Sequence, residues 1–118
     1  MPTPSPTELK IMRSMLTKAY GPQTPFIPQL SRLQFDERHP TGVGFWEIFT
    51  TRDPANQVDD VNNEITEFVN TSLASPADTV GFTLFIRNGY LSSFEGYTFG
   101  NVKWPEGLME NWLVLDAA

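Results

Sequence analysis

The chain has 118 residues, of which 14 are acidic and 8 basic, and its formal net charge at pH 7 is -6. Hydrophobic residues make up 40% and aromatic residues 13%, which is enough for one core and excludes a disordered chain. The length predicts a single domain over residues 1–118, with residues 1–5 as a flexible N-terminus. The acidic balance argues against nucleic-acid binding, which needs clustered lysine and arginine, and it suits a basic protein partner.

The first predicted element is a helix over residues 6–20. Ser5 precedes Pro6 and stands three residues before Glu8, which is the pattern of a capping box with proline at the first helical position. Gly21, followed by proline, is typical of a helix end. Apolar residues recur between these signals at helical spacing: Leu9, Ile11, Met12, Met15, Leu16 and Ala19.

The next part of the chain predicts a connector and two strands. Residues 21–31 contain three prolines without a periodic pattern, which is typical of an irregular connector. Leu33 and Phe35 alternate with polar residues and indicate a short strand, and the tract HPTGVG, which begins at His39, indicates a turn. Residues 43–49 are apolar in both alternating sets, which is typical of a strand covered on both faces.

Residues 61–71 fit either a helix or a strand, because their apolar positions match both spacings. Their β-branched residues, Thr66, Val69 and Thr71, favour the strand. The polar stretch before them, residues 53–63, predicts an exposed loop.

A hairpin over residues 79–99 is the firmest predicted pairing. The dipeptide Asn88-Gly89 is typical of the type I′ turn that joins two antiparallel strands. Uninterrupted pairing from this turn would place Phe82 opposite Glu95. The Glu95 carboxylate would then lie on the apolar face that also holds Ile86, where an unpaired charge is costly.

Two explanations for Glu95 stay open at this point. A β-bulge at Ser92-Ser93, which we favour because small serines suit it, would turn Phe94 inward and Glu95 outward. Alternatively, Glu95 lies in a pocket and acts on a ligand, paired with Arg38, Arg87 or Lys103. In either case the additional aromatic residues of the hairpin lie on its second face, covered by loops or open to a partner.

Together these elements predict an α+β fold, with the N-terminal helix packed on a mostly antiparallel sheet of four to six strands. A Trp-Pro-Glu-Gly loop that begins at Trp104 and a short strand from Trp112 to Leu115 complete it.

Four motifs together resemble a group of small bacterial proteins of unknown function. They are PTELKIMRSML in the helix, TGVGFW in mid-chain, GFTLFIRNGYLSSFEGYTFG in the hairpin and the Trp-Pro-Glu tail. The glycine-led strand and the Leu-x-x-Phe-Glu-Gly-Tyr run carry most of the match. The resemblance implies a single-domain bacterial cytoplasmic protein, and it implies no activity, so no catalytic residue is carried over from it.

No pattern in the sequence predicts catalysis, a cofactor or a metal site. The chain has no cysteine, and His39, its only histidine, has no identifiable partners for a triad. The acidic run around Asp59 and Asp60 lacks the spacing of a calcium loop. The N-terminus lacks the pattern of a signal peptide, and no segment approaches the length of a membrane helix, so we expect a cytoplasmic protein without a membrane role.

Two functions from different classes remain. The first is a non-enzymatic acidic protein-binding module, such as an inhibitor or an immunity protein for a bacterial toxin, whose contact surface comprises Glu95, Tyr97, Trp104, Asp59 and Asp60. The second is a small-molecule-binding or enzymatic domain in which Glu95 acts as an acid–base group in a sheet-lined pocket. A raised pKa of Glu95 would favour the second function, and an ordinary pKa would argue against it.

Overall fold

The computed structural model describes residues 3–50, 52–70, 79–99 and 104. Within these ranges the chain forms a long helix, a short helix and five strands, an α+β arrangement as predicted. In chain order the elements are α1 Pro6–Tyr20, α2 Ile27–Leu30, β1 Phe35–Pro40, β2 Gly44–Phe49, β3 Asn63–Asn70, β4 Thr79–Arg87 and β5 Tyr90–Thr98. The strand predicted over 112–115 and the loop after Trp104 lie outside the described residues.

The strands form one antiparallel sheet in the order β1-β2-β5-β4-β3. The hairpin predicted over residues 79–99 is confirmed as β4 and β5, and the strand favoured for residues 61–71 is confirmed as β3. β5 lies at the centre of the sheet, and β1 and β3 form its edges. This order places residues of β2 directly beside residues of β5, although more than 40 positions separate them in the chain.

Helix α1 has the bounds that its end signals predict. The Ser5 hydroxyl accepts a hydrogen bond from the Glu8 amide at 3.2 Å, and Gly21 ends the helix with a φ of 99°. The apolar stripe of α1 packs on one face of the sheet together with the connector after it. The shared core comprises Ile11, Met12, Met15, Leu16, Phe26, Leu30, Leu33, Phe35, Phe45, Phe49, Val80, Phe82, Leu84, Ile86, Leu91 and Phe94.

Two predicted boundaries are wrong. The connector over residues 21–31 contains α2, one helical turn whose Leu30 is buried in the core. The tract that begins at His39 predicts a turn, but β1 continues to Pro40. Pairing with β2 extends the strand, and the His39 ring stacks on Trp46 with centroids 3.9 Å apart. An edge strand tolerates a terminal proline, because one of its sides needs no ladder hydrogen bond.

The bulge predicted at Ser92-Ser93 is confirmed. The register between β4 and β5 shifts by one residue near the turn, which leaves Ser92 without a partner in β4. Beyond it Phe94 pairs with Leu84 and is buried, whereas Glu95 pairs with Thr83 on the other face of the sheet. The bulge therefore removes the Glu95 carboxylate from the core.

A single amide side chain joins α2, the loop before β3 and the hairpin turn. Gln29 is buried, and its Nε2 donates to the carbonyl oxygens of Gly89 at 2.9 Å and Asn56 at 2.8 Å. Its Oε1 accepts from the amide of Leu91 at 2.9 Å. Because all three partners are backbone groups, Gln29 fixes the position of the turn relative to the core.

We expect Gln29→Leu to lower the free energy of unfolding by about 2 kcal/mol, because it leaves the buried Gly89 carbonyl and Leu91 amide without these partners. Urea denaturation of the two proteins measures the difference. The matched control is Gln34→Leu, because Gln34 is exposed and its replacement should change stability by less than about 0.5 kcal/mol. Equal losses in the two variants would contradict this role for Gln29.

Among the described residues, no helix combines the length and the apolar character needed to cross a membrane.

Candidate functional site

The two faces of the sheet differ in what covers them. Both α1 and α2 pack on the face that holds the core, and no helix of the described residues packs on the other face. We call this second surface the open face. Ile48, which β2 contributes to this face, is 50% exposed. The strands contribute to the open face Trp46, Ile48, Thr83, Phe85, Ser93, Glu95 and Tyr97.

A row of neighbouring side chains crosses the open face. Trp46 of β2, Glu95 of β5 and Thr83 of β4 stand directly opposite one another. His39 of β1 continues the row, since its ring stacks on Trp46 at an interplanar angle of 15°. The row places the Glu95 side chain beside the indole of Trp46. The sequence around either residue does not predict that the two are neighbours.

One end of the open face is aromatic. Tyr97 lies across β4, because Gly81 leaves room for it: a Cβ on Gly81 would lie 2.4 Å from the ring atom Cε2. The Tyr97 hydroxyl is 3.3 Å from Oγ1 of Thr83. Phe99 packs against Tyr97 with ring centroids 5.8 Å apart, and Phe68, which is 61% exposed, packs against Phe99. Exposed aromatic clusters of this kind are typical of protein interfaces.

Glu95 carries the charge at the middle of the open face. Burial raises its pKa above the ordinary value, and the negative charge of Glu64 raises it further. Two of the cations proposed as its partners are engaged elsewhere: Arg87 pairs with Glu64 at 3.4 Å, and Arg38 lies on the core face. Lys103 lies outside the described residues. Within the described ranges Glu95 thus has no ion pair.

The predicted contact residues occupy different parts of the molecule. Glu95 and Tyr97 lie together on the open face. Trp104 lies on the core side, where its ring packs edge-on against Phe45 and Phe82 with centroids 5.5 Å and 6.2 Å apart. The structure therefore brings two of these three residues together and separates the third from them by the thickness of the sheet.

Asp59 and Asp60 lie in the loop before β3, at the hairpin turn. Both are exposed, and Asp59 has a positive φ of 48°. The backbone there passes so close to Gly89 that a Cβ on this glycine would lie 2.3 Å from the Asp59 carbonyl oxygen. The two acids thus lie at the turn end of the hairpin, whereas Glu95 lies further along β5.

A second charged cluster, which we did not predict, is buried between α1 and the sheet. It comprises Glu8 of α1, Arg38 of β1 and Glu47 of β2. The Arg38 guanidinium lies 3.7 Å from Oε1 of Glu8 and 3.8 Å from Oε2 of Glu47. Glu47 has no exposed side-chain surface. A signal for it was present in the sequence, because Glu47 alternates with Phe45 and Phe49 in the set that faces the core.

The buried cluster holds a proton at neutral pH. Burial, followed by a hydrogen bond to Glu8 and the negative charge of Glu8, raises the pKa of Glu47 to about 9, although Arg38 opposes this. No N–H or hydroxyl group of the described residues donates to either Glu47 oxygen or to Oε2 of Glu8. A protonated Glu47 supplies the hydrogen bond between the two carboxyl groups. Because both acids are shielded from solvent, we assign the cluster a structural role.

The described residues contain no group of three or more histidine, cysteine, aspartate or glutamate side chains arranged to hold a metal ion.

No family model matches the chain, and neither the curated proteins nor the solved structures with which it was compared gave a match. The resemblance to small bacterial proteins therefore stays a prediction. Function is argued from the geometry of the open face, because a fold by itself does not imply an activity.

Proposed function

We propose that this chain is a non-enzymatic, acidic protein-binding module that binds a basic protein through the open face of its sheet. The observation that carries the proposal is the setting of Glu95, a partly buried carboxylate beside Trp46 and Tyr97, without an ion pair among the described residues. Tryptophan and tyrosine are enriched among the residues that contribute most of the binding energy at protein interfaces.

Charge supports a basic partner over a neutral one. The net charge of -6 attracts a basic protein over a distance of several ångströms and repels nucleic acid. At short range Glu95 and Glu64 repel each other, which contributes to the raised pKa of Glu95. A cationic side chain from the partner would offset this repulsion. Binding of a basic partner is therefore favoured at Glu95.

An inhibitor or an immunity protein for a bacterial toxin is the class of protein that we propose. Toxins that cleave nucleic acids are basic because their substrates are polyanions, and an acidic module is complementary to such a surface. We propose that it acts in the cytoplasm. Disulfides are rare in that compartment, and a chain without cysteine folds without them.

The raised pKa of Glu95 also favours the second function, in which this carboxyl is an acid–base group for a small molecule. We rank that function below protein binding. Acid–base sites exclude water from the reacting groups, whereas Ile48, in the strand next to Glu95, is 50% exposed.

Affinity capture with matched charge variants tests the proposal. The tagged protein, Glu95→Gln and Asp60→Asn are each incubated with a lysate of the native host at low salt, and the proteins that a high-salt wash releases are identified. Each variant loses one negative charge. Glu95 lies on the open face, whereas Asp60 lies in the loop at the hairpin turn and is not part of the interface proposed here. We expect the unaltered protein and Asp60→Asn to retain the same basic protein, and Glu95→Gln to retain about fivefold less of it.

Two results would contradict the proposal. Undiminished retention by Glu95→Gln would remove the open face from the interface. An equal loss in both variants would show that only the net charge of the chain attracts the partner.

A further inference from the structure

A guanidinium group lies between an aromatic ring and a carboxylate on the core face of this molecule. The Arg38 guanidinium carbon is 4.1 Å from the centroid of the Phe45 ring, and its Nε is 3.8 Å from Oε2 of Glu47. Stacking on the ring and pairing with the acid are compatible because the guanidinium is planar and carries its N–H donors at its edge.

The same arrangement recurs on the open face. The Arg87 guanidinium carbon lies 5.6 Å from the centroid of Phe85, and its Nη2 lies 3.4 Å from Oε1 of Glu64. Phe85 and Glu64 are directly opposite each other on neighbouring antiparallel strands. A cross-strand pair of an aromatic residue and a glutamate thus contacts an arginine on this face, and Nη1 of Arg87 also donates to the carbonyl oxygens of Ile86 at 2.9 Å and Asn63 at 3.3 Å.

Trp46 and Glu95 form a second cross-strand pair of an aromatic residue and a glutamate. They stand directly opposite each other on β2 and β5, so their Cβ atoms are about 5 Å apart. His39 stacks on the indole of Trp46, and both Trp46 and Glu95 keep part of their surface exposed. In contrast with the pair of Phe85 and Glu64, no arginine or lysine of the described residues lies against this one.

We propose that an arginine side chain of the basic partner occupies this position, with its guanidinium over Trp46 and its N–H groups donating to Glu95. The inference rests on the proposed function, since it names the chemistry by which the partner is anchored. Arginine fits better than lysine because only a planar cation stacks on the indole and pairs with a carboxylate at the same time.

The electrostatic setting of Glu95 agrees with this assignment. Burial and the charge of Glu64 raise its pKa, and an arriving guanidinium would lower it again. Arg87 already pairs with Glu64. Among the described residues at this position, Glu95 is therefore the carboxylate that is left for the incoming cation.

Three matched peptides provide the test: acetyl-Gly-Arg-Gly-amide, the lysine peptide and the citrulline peptide, which keeps the shape of arginine without its charge. Each is titrated to about 50 mM, because ligands this small bind weakly. Binding is followed by the indole N–H resonance of Trp46, assigned as the one lost in Trp46→Phe, and by the carboxyl carbon of Glu95. We expect the arginine peptide to shift both signals more than the lysine peptide does, and the citrulline peptide to leave Glu95 unchanged.

Substitutions locate the site. Glu95→Gln should weaken binding of the arginine peptide about fivefold, and Asp60→Asn should leave it unchanged. An unmoved Trp46 resonance, equal responses to arginine and lysine, or equal weakening in the two variants would each overturn the inference.

The two proposals fail separately. A basic protein whose capture depends on Glu95, together with an arginine peptide that leaves Trp46 unmoved, would retain the binding function and overturn the arginine anchor. Peptide binding with the expected pattern, in the absence of any captured protein, would support the arginine site and overturn the proposed function.

Discussion

We expect Arg38→Ala to lower the free energy of unfolding by about 3 kcal/mol, the largest loss from any single charge deletion discussed for this protein. The substitution leaves the Glu8 carboxylate in the core without its cation and removes the guanidinium that lies over Phe45. Complete burial of the cation would make the loss larger, but Arg38 is 37% exposed and water screens part of the interaction. Urea denaturation at pH 7 measures the effect.

Two further variants separate charge from packing at Arg38. Arg32→Ala removes an arginine that pairs with Asp53 at 3.6 Å on the surface, and it should cost less than about 1 kcal/mol. Adding Glu8→Gln to Arg38→Ala removes the uncompensated charge and should restore about 1 kcal/mol. If Arg32→Ala and Arg38→Ala cost the same, the buried cluster does not contribute as described.

The second large effect is a dependence of stability on pH that originates at Glu47. Its pKa is raised from 4.5 to about 9 in the folded protein, so the folded chain keeps a proton that the unfolded chain releases above pH 4.5. The stabilising contribution of this proton is fully present below pH 4.5 and is lost as the pH rises towards 9. The loss should reach about 3 kcal/mol between pH 5 and pH 8.

Glu47→Gln isolates this contribution, because glutamine has a similar shape and no titration. The difference in free energy of unfolding between the variant and the unaltered protein should be smallest near pH 5 and should grow in favour of the variant up to pH 9. Urea denaturation at pH 5, 7 and 9 measures it, and other titrating groups cancel in the difference. A difference that stays constant over this range would show that Glu47 is ionised in the folded protein.

The local parts of the fold follow from the sequence. Ser5 and Gly21 mark the ends of α1 because capping depends on residues within one turn of the helix. Asn88 and Gly89 specify the hairpin because both adopt the positive φ that a type I′ turn requires, at 53° and 80°. The bulge is predicted because burying the Glu95 carboxylate without a partner would cost free energy.

The candidate site depends on which strands become neighbours, and this is a property of long-range packing. Trp46 and Glu95 meet because β5 lies between β2 and β4, an order that hydrophobic alternation within each strand does not specify. Arg38 meets Glu47 through the local pairing of β1 and β2, but Glu8 joins them only because α1 packs on the sheet. Tyr97 and Trp104 form one cluster in a sequence-based view, but alternation along β5 and the position of Trp104 beyond it separate them.

The unpaired Ser92 sets the phase of β5. On its two sides the alternation of inward and outward residues is displaced by one position, so Leu91 and Phe94 both face the core although they are three positions apart. If Ser92 were paired in a regular ladder instead, Phe94 would lie on the open face and the Glu95 carboxylate would face the core. The chemical character of the open face, acidic with aromatic neighbours, thus depends on the bulge at one small residue near the turn.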